Sequence, residues 1–88
     1  MRLIFSDTGW DDCQHWRATD PKLCERLSGL IRECLRTPFA GTGKPEALRG
    51  DLSGWWSRRI TSEHRLVYRV SGTGAAQALE IAQCRYHY

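Results

Sequence analysis

The stretch "WWSRRITSEHRLVYRV", residues 55 to 70, decides how the rest of this chain is read. From Trp55 to Thr61 the residues Trp56, Arg58 and Ile60 alternate against Trp55, Ser57 and Arg59. From Arg65 to Val70, Leu66, Tyr68 and Val70 alternate against Arg65, Val67 and Arg69. A period of two is the signature of strands, and "SEH" between the runs is a tight turn, so the two pair antiparallel. The second run has one apolar and one basic face. A Gly-containing turn, "SGTGAA", then leads to a third strand from about Ala78 to Arg85. The result is an antiparallel meander whose apolar face needs a cover.

That cover is found upstream. "RLIF" at residues 2 to 5 is a short strand candidate, and Ser6 or Asp7 can cap a helix running to about Ala18. Asp20 caps a second helix with Pro21 at its first position, where a missing N–H costs nothing. In it Leu23, Leu27, Leu30, Ile31 and Cys34 form one apolar stripe, and Thr37-Pro38 ends it. Phe39 to Ser53, with Gly41, Gly43, Pro45 and Gly50, reads as a loop with one short extended piece near Ala47 to Arg49. The expected fold is α+β: one short N-terminal strand, two helices, then a meander, giving a four-stranded sheet with both helices on one face. The other face, carrying Arg65 and Arg69, is expected to lie open to a ligand or water. At 88 residues this is one domain.

Composition narrows the class. Asp7 comes too early for a signal-peptide apolar region, and no stretch nears the roughly 18 apolar residues of a membrane helix. A soluble, cytoplasmic protein without a membrane partner is expected. Cys13, Cys24, Cys34 and Cys84 form no C-x-x-C pair and have no histidine at zinc-finger spacing, so they are read as reduced structural thiols. The net charge of +3 is unevenly spread. Residues 1 to 43 carry six acids and six Arg/Lys, whereas residues 44 to 88 carry four and seven. A basic second half can attract nucleic acid or simply be a solvated strand surface.

Three histidines are candidates for chemistry. His15 lies inside the first helix and reads as a surface or partly packed residue. His64 sits in the turn beside Glu63, where both would be solvated and point apart. His87 differs, because it belongs to the closing "RYHY", residues 85 to 88. Cleaving RNA without a metal or cofactor takes three groups: a base for the 2′-OH, an acid for the leaving 5′ oxygen, and a cation for the charge on phosphorus. Glu46 in "KPEAL", His87 and Arg65 are such a set, with Lys44 and Arg49 near enough in sequence to hold phosphates. From the residues alone two readings stand, an RNA-cleaving site and a basic surface with a structural aromatic tail.

Taken together, "GWDD" at 9 to 12, "RTPFAGTGKPEAL" at 36 to 48, "LSGWWSRRITSEHRLVYRV" at 52 to 70 and "CRYHY" at 84 to 88 resemble the YoeB (Txe/YoeB) toxins of the RelE superfamily, over essentially the whole chain. The resemblance implies a microbial-ribonuclease-like fold and an mRNA interferase that cleaves the message in the ribosomal A site without metal. It implies Glu46 as general base, Arg65 as transition-state stabiliser, His87 as general acid and Tyr88 as the residue that orients substrate or acid. Lys44, Arg49 and Arg59 match positions of RNA and ribosome contact. Its partners would be mRNA, the ribosome, a cognate antitoxin and a second copy in a homodimer. Rival classes are a ParE-like gyrase poison, which has no need of Glu46, His87 or Tyr88, and a non-catalytic basic RNA- or partner-binding module. The chain departs from the family pattern in a longer turn at "SGTGAAQA", in Glu80 where the family is apolar, and in Gly9 and Cys13. In a regular strand His87 and Tyr88 would face opposite ways. Pairing is therefore expected to break at or just after Arg85, with Arg85 closing the strand and Tyr86 packing.

Overall fold

The protein is described here by a computed structural model covering residues 1–87. Strand β1 is Arg2–Phe5, helix α1 Asp7–Thr19 and helix α2 Pro21–Arg36; strands β2 Glu46–Ala47, β3 Trp56–Arg59, β4 Arg65–Ser71 and β5 Ala78–Gln83 follow. The helix starts are those expected from the sequence. Ser6 accepts from the Gly9 amide at 3.0 Å and Asp20 from the Leu23 amide at 3.1 Å, each satisfying one of a helix's orphan donors. Helix α2 buries Leu23, Leu27, Leu30, Ile31 and Cys34, the whole predicted stripe. These meet Trp16 of α1 and Ile60, Leu66, Tyr68, Leu79, Ile81 and Cys84 of the sheet side in one core.

The sheet has five strands rather than four, in the order β1-β5-β4-β3-β2. The fifth is β2, two residues long, paired as Glu46↔Ser57 and Ala47↔Trp56. A strand this short has no period to read. Strand β1 lies parallel to β5, from Arg2↔Ala78 to Phe5↔Ile81, because the helices carry the chain across one face before the meander begins. Cys34 and Cys84 are fully buried, and burial pushes both thiols up, so they serve as small apolar groups.

Two features depart from simple alternation. The β4/β5 ladder pairs Tyr68 with Ile81 but Val67 with Gln83, leaving Ala82 as a bulge. A bulge inserts one residue and inverts the facing of all that follow, so the core side runs Leu79, Ile81 and then Cys84. Ser6 ties this bulge off, donating its hydroxyl to the Ala82 carbonyl at 2.7 Å. The sheet face away from the helices, expected to be open, is partly closed: Ser57, Arg65 and Val67 are all buried, and Arg69 alone of the β4 basic pair is exposed. Glu80 stands directly opposite Arg69 in the ladder and accepts from it at 3.1 Å. Hydrogen bonds from Ser71 and Arg69 hold its carboxyl below the usual range, so this carboxylate has partners within the sheet.

Arg58, on the apolar face of its strand, is buried with no exposed surface and clamps the loop after α2. Its Nη1 donates to Glu33 Oε2 at 2.9 Å and to the Thr42 carbonyl at 3.1 Å. Its Nη2 reaches the carbonyls of Thr37 and Ala40. Nε donates to the Tyr68 hydroxyl at 3.2 Å, which itself donates to the Pro38 carbonyl at 2.6 Å. Burial pushes the Tyr68 phenol up to about 12, against about 10 for a free tyrosine. The folded chain thus keeps this proton after the unfolded chain has lost it. Stability from this group is full below about pH 10 and is lost as the pH rises through about 12. Tyr68→Phe should flatten that alkaline limb in a plot of Tm against pH; an unaltered limb would contradict the assignment.

Candidate active site

The clamp on residues 37–42 delivers the next segment to the sheet. Gly43 accepts from the Arg59 amide through its carbonyl at 2.7 Å. Its φ is +84°, and a Cβ there would stand 2.9 Å from the Arg59 carbonyl oxygen. Glycine is therefore required at this approach. Lys44 follows in the left-handed region at φ 52°, and Glu46 then enters β2. Both side chains are exposed, as is that of Arg49, beyond the end of β2.

Register decides which residues share a face. Glu46 is opposite Ser57, Ser57 opposite Val67, and two residues along, Arg59 is opposite Arg65. Directly paired residues project on the same side, and alternate residues of a strand do too. Glu46, Ser57, Arg59 and Arg65 therefore all rise from the face away from the helices. Glu46 stands two strand spacings, about 10 Å, from the β4 row, level with Val67 and two residues along the strand from Arg65.

Arg65 does not project freely, as the alternation suggested. It is only 8% exposed. Its Nη1 donates to the carbonyls of Thr61, Ser62 and His64 at 2.8, 3.2 and 3.1 Å, so the side chain also staples the turn before its own strand. The guanidinium is a rigid planar fork, held here at its Nη1 corner.

The tail reaches this arginine by a bend. Regular pairing ends at Gln83, two residues before the expected break. The bulge and the bend are the reason: beyond Ala82 the facing is inverted, and Tyr86 takes φ 61°. The tail does not leave the sheet, since the Tyr86 carbonyl accepts from the Arg65 amide at 3.1 Å. His87, exposed, follows directly from that carbonyl. The Arg65 backbone is thus joined to Tyr86, the residue before His87, while Glu46 lies two strands away on the Arg65 face. Tyr88 lies outside the described residues. Tyr86, expected to pack, is 59% exposed; its ring lies against His64 and Arg85, and its two backbone groups are hydrogen-bonded.

Two residues of this neighbourhood were not legible beforehand. Ser57 is buried in the row between Glu46 and Val67. His64, expected to be solvated, is half-buried and packs edge-on against Trp16 at 4.6 Å between ring centroids. Its Nδ1 accepts from the Tyr86 amide at 2.7 Å, a partner 22 residues away that no local pattern marks. Glu63 beside it is exposed.

Compared with known proteins, residues 5–88 match the family model described as a YoeB-like toxin of bacterial type II toxin-antitoxin systems. Toxin YoeB of Escherichia coli is 52% identical over 88 residues, spanning 100% of both chains. The solved structure of a YoeB/ParE toxin from Agrobacterium tumefaciens is similar with a TM-score of 0.96 and 57% identity, again over 100% of both. A heterotetrameric YoeB-YefM toxin-antitoxin complex and a YoeB dimer, both from Staphylococcus aureus, match with TM-scores of 0.87 and 0.88. Each is 36% identical and covers 100% of this chain and 98% of its own.

Proposed function

Since this chain belongs to the YoeB-like toxin family of bacterial type II toxin-antitoxin systems, we propose that it is an mRNA interferase, a ribosome-dependent endoribonuclease that cuts the message in the A site and so stops translation. The observation that carries this reading is the gathering of Glu46, Arg59 and Arg65 on one sheet face, with the tail bonded to the Arg65 backbone so that His87 follows beside it.

In the proposed reaction Glu46 takes the 2′-OH proton and the 2′ oxygen attacks phosphorus. Charge then builds on the pentacoordinate phosphorus, where Arg65, already held at its Nη1 corner, stabilises it. His87 protonates the departing 5′ oxygen, so the P–O5′ bond breaks as the P–O2′ bond forms. Tyr88 is assigned the orientation of substrate or acid. Lys44, Arg49 and Arg59, all exposed, would meet the phosphates of messenger and ribosomal RNA. Their contribution is electrostatic, so ribosome affinity should fall linearly with salt on a logarithmic plot; salt-independent binding would argue against it.

The partners follow from kinship. We propose a cognate antitoxin that neutralises this chain, as expected from the toxin-antitoxin complex of the Staphylococcus aureus relative, and a homodimer like that relative's. Work on ribosomes would put it in the cytoplasm; among the described residues no helix is long and apolar enough to cross a membrane. The test is to incubate translating ribosomes bearing a defined A-site codon with wild type, Glu46→Ala and His87→Gln, and to map the message by primer extension. Cleavage by the wild type and losses of about 10²-fold or more in each variant are expected. Wild-type failure to cut, together with inhibition of gyrase, would favour a ParE-like toxin, and full activity in both variants would overturn the site assignment.

A further inference from the structure

The C-terminal tail is gripped at two points by residues that take no part in the proposed proton transfers. The first grip is from α1. Asp12 Oδ2 accepts from the Cys84 amide at 3.0 Å, and Trp16 Nε1 donates to the Cys84 carbonyl at 2.7 Å. The second grip is at Tyr86. Its left-handed backbone is a conformation that non-glycine residues adopt only when their surroundings impose it. With its ring 59% exposed, burial does not impose it. The backbone bonds do: the carbonyl is held by the Arg65 amide and the amide by His64 Nδ1. The imidazole is held in turn by ring contacts with Trp16 at 4.6 Å and Tyr86 at 5.5 Å. Because Nδ1 accepts, the neutral ring carries its proton on Nε2.

We infer that His64 is a positioning residue for the proposed cleavage, its Nδ1 setting the Tyr86 bend that brings His87 beside Arg65. It touches neither substrate nor reacting atom; it fixes where the acid stands. The inference rests on the endoribonuclease reading for its kinetic consequence, but its structural half can be tested alone. Without the acceptor, the Tyr86 amide loses its partner in a conformation the residue disfavours, and the bend relaxes. A general acid displaced by about 1 Å costs on the order of 10²-fold in rate. Phosphate contacts through Lys44, Arg49 and Arg59 lie elsewhere, so substrate binding is untouched.

Two variants separate hydrogen bonding from packing. His64→Phe keeps a ring against Trp16 but has no acceptor; His64→Asn gives up the ring but offers an oxygen near the position of Nδ1. Amide hydrogen exchange at Tyr86 and His87 reads the tail in the free protein, and steady-state cleavage at varied concentrations of programmed ribosomes reads kcat and KM. For His64→Phe we expect lost protection of the Tyr86 amide, kcat lower by about 10²-fold, and KM and Tm little changed. His64→Asn should recover both protection and most of the rate. A protected Tyr86 amide or an unchanged kcat in His64→Phe would overturn the inference, as would a joint fall of rate, substrate affinity and Tm that His64→Asn does not rescue. Should the wild type itself not cleave, the endoribonuclease reading falls, while the exchange data still decide whether His64 holds the tail.

Discussion

Replacing Arg58 with methionine is expected to lower the unfolding free energy by about 3 kcal/mol, the low end of the cost of breaking a buried ion pair, since the guanidinium is fully buried while the Glu33 side chain keeps 25% of its exposure. A methionine of similar length would fill the space but remove the guanidinium donor of the carbonyls of Thr37, Ala40 and Thr42 and leave the Glu33 carboxylate with Thr42 as its remaining donor. The Tyr68 hydroxyl would lose its guanidinium partner too. For a domain stable by about 5–15 kcal/mol this is a large share of the total. Lysine should not rescue it, because a single ammonium cannot serve acceptors spread around a planar fork. The consequence extends beyond stability. Residues 37–42 hang on this clamp and lead directly to Gly43, Lys44 and Glu46, so surviving protein should be slow in cleavage with its base misplaced. Urea unfolding followed by tryptophan fluorescence measures the first effect; a loss below about 1 kcal/mol, the value of one ordinary hydrogen bond, would contradict the role assigned to Arg58.

Removing His87 and Tyr88 is expected to abolish message cleavage, by about 10²–10⁴-fold for loss of the general acid alone, while leaving Tm close to that of the full chain. The described anchors of the tail act at Cys84 and Tyr86, and the core ends at Cys84. A truncated protein should therefore keep its fold and its salt-dependent ribosome binding and lose only chemistry. Retained cleavage would show that the acid lies elsewhere. Loss of folding would show that the tail is structural first, which was the rival reading of "RYHY" from residues alone.

Much of this protein is determined by its sequence. Ser6, Asp20 and Pro21 start the helices where they stand, and the Leu23-to-Cys34 stripe names the buried face of α2. The alternation on either side of "SEH" names the central hairpin. These features rest on interactions between residues a few positions apart, which a linear pattern records. The chemical types needed for RNA cleavage are also legible, and resemblance to a toxin family gives Glu46, Arg65, His87 and Tyr88 their expected roles. What only the tertiary structure decides is where Glu46, Arg65 and the chain up to Tyr86 stand relative to one another. Strand β2 exists because two residues find β3, and the β5 bulge is held where the Ser6 hydroxyl meets the Ala82 carbonyl. Arg58 lies in the core because five acceptors converge on it, and the Tyr86 bend forms because His64 and Arg65 hold its two backbone groups. Each of these depends on partners distant in sequence, brought together when burying apolar surface fixes strand register. A one-residue slip would move every such side chain to the other face, so the site becomes defined only when the sheet does.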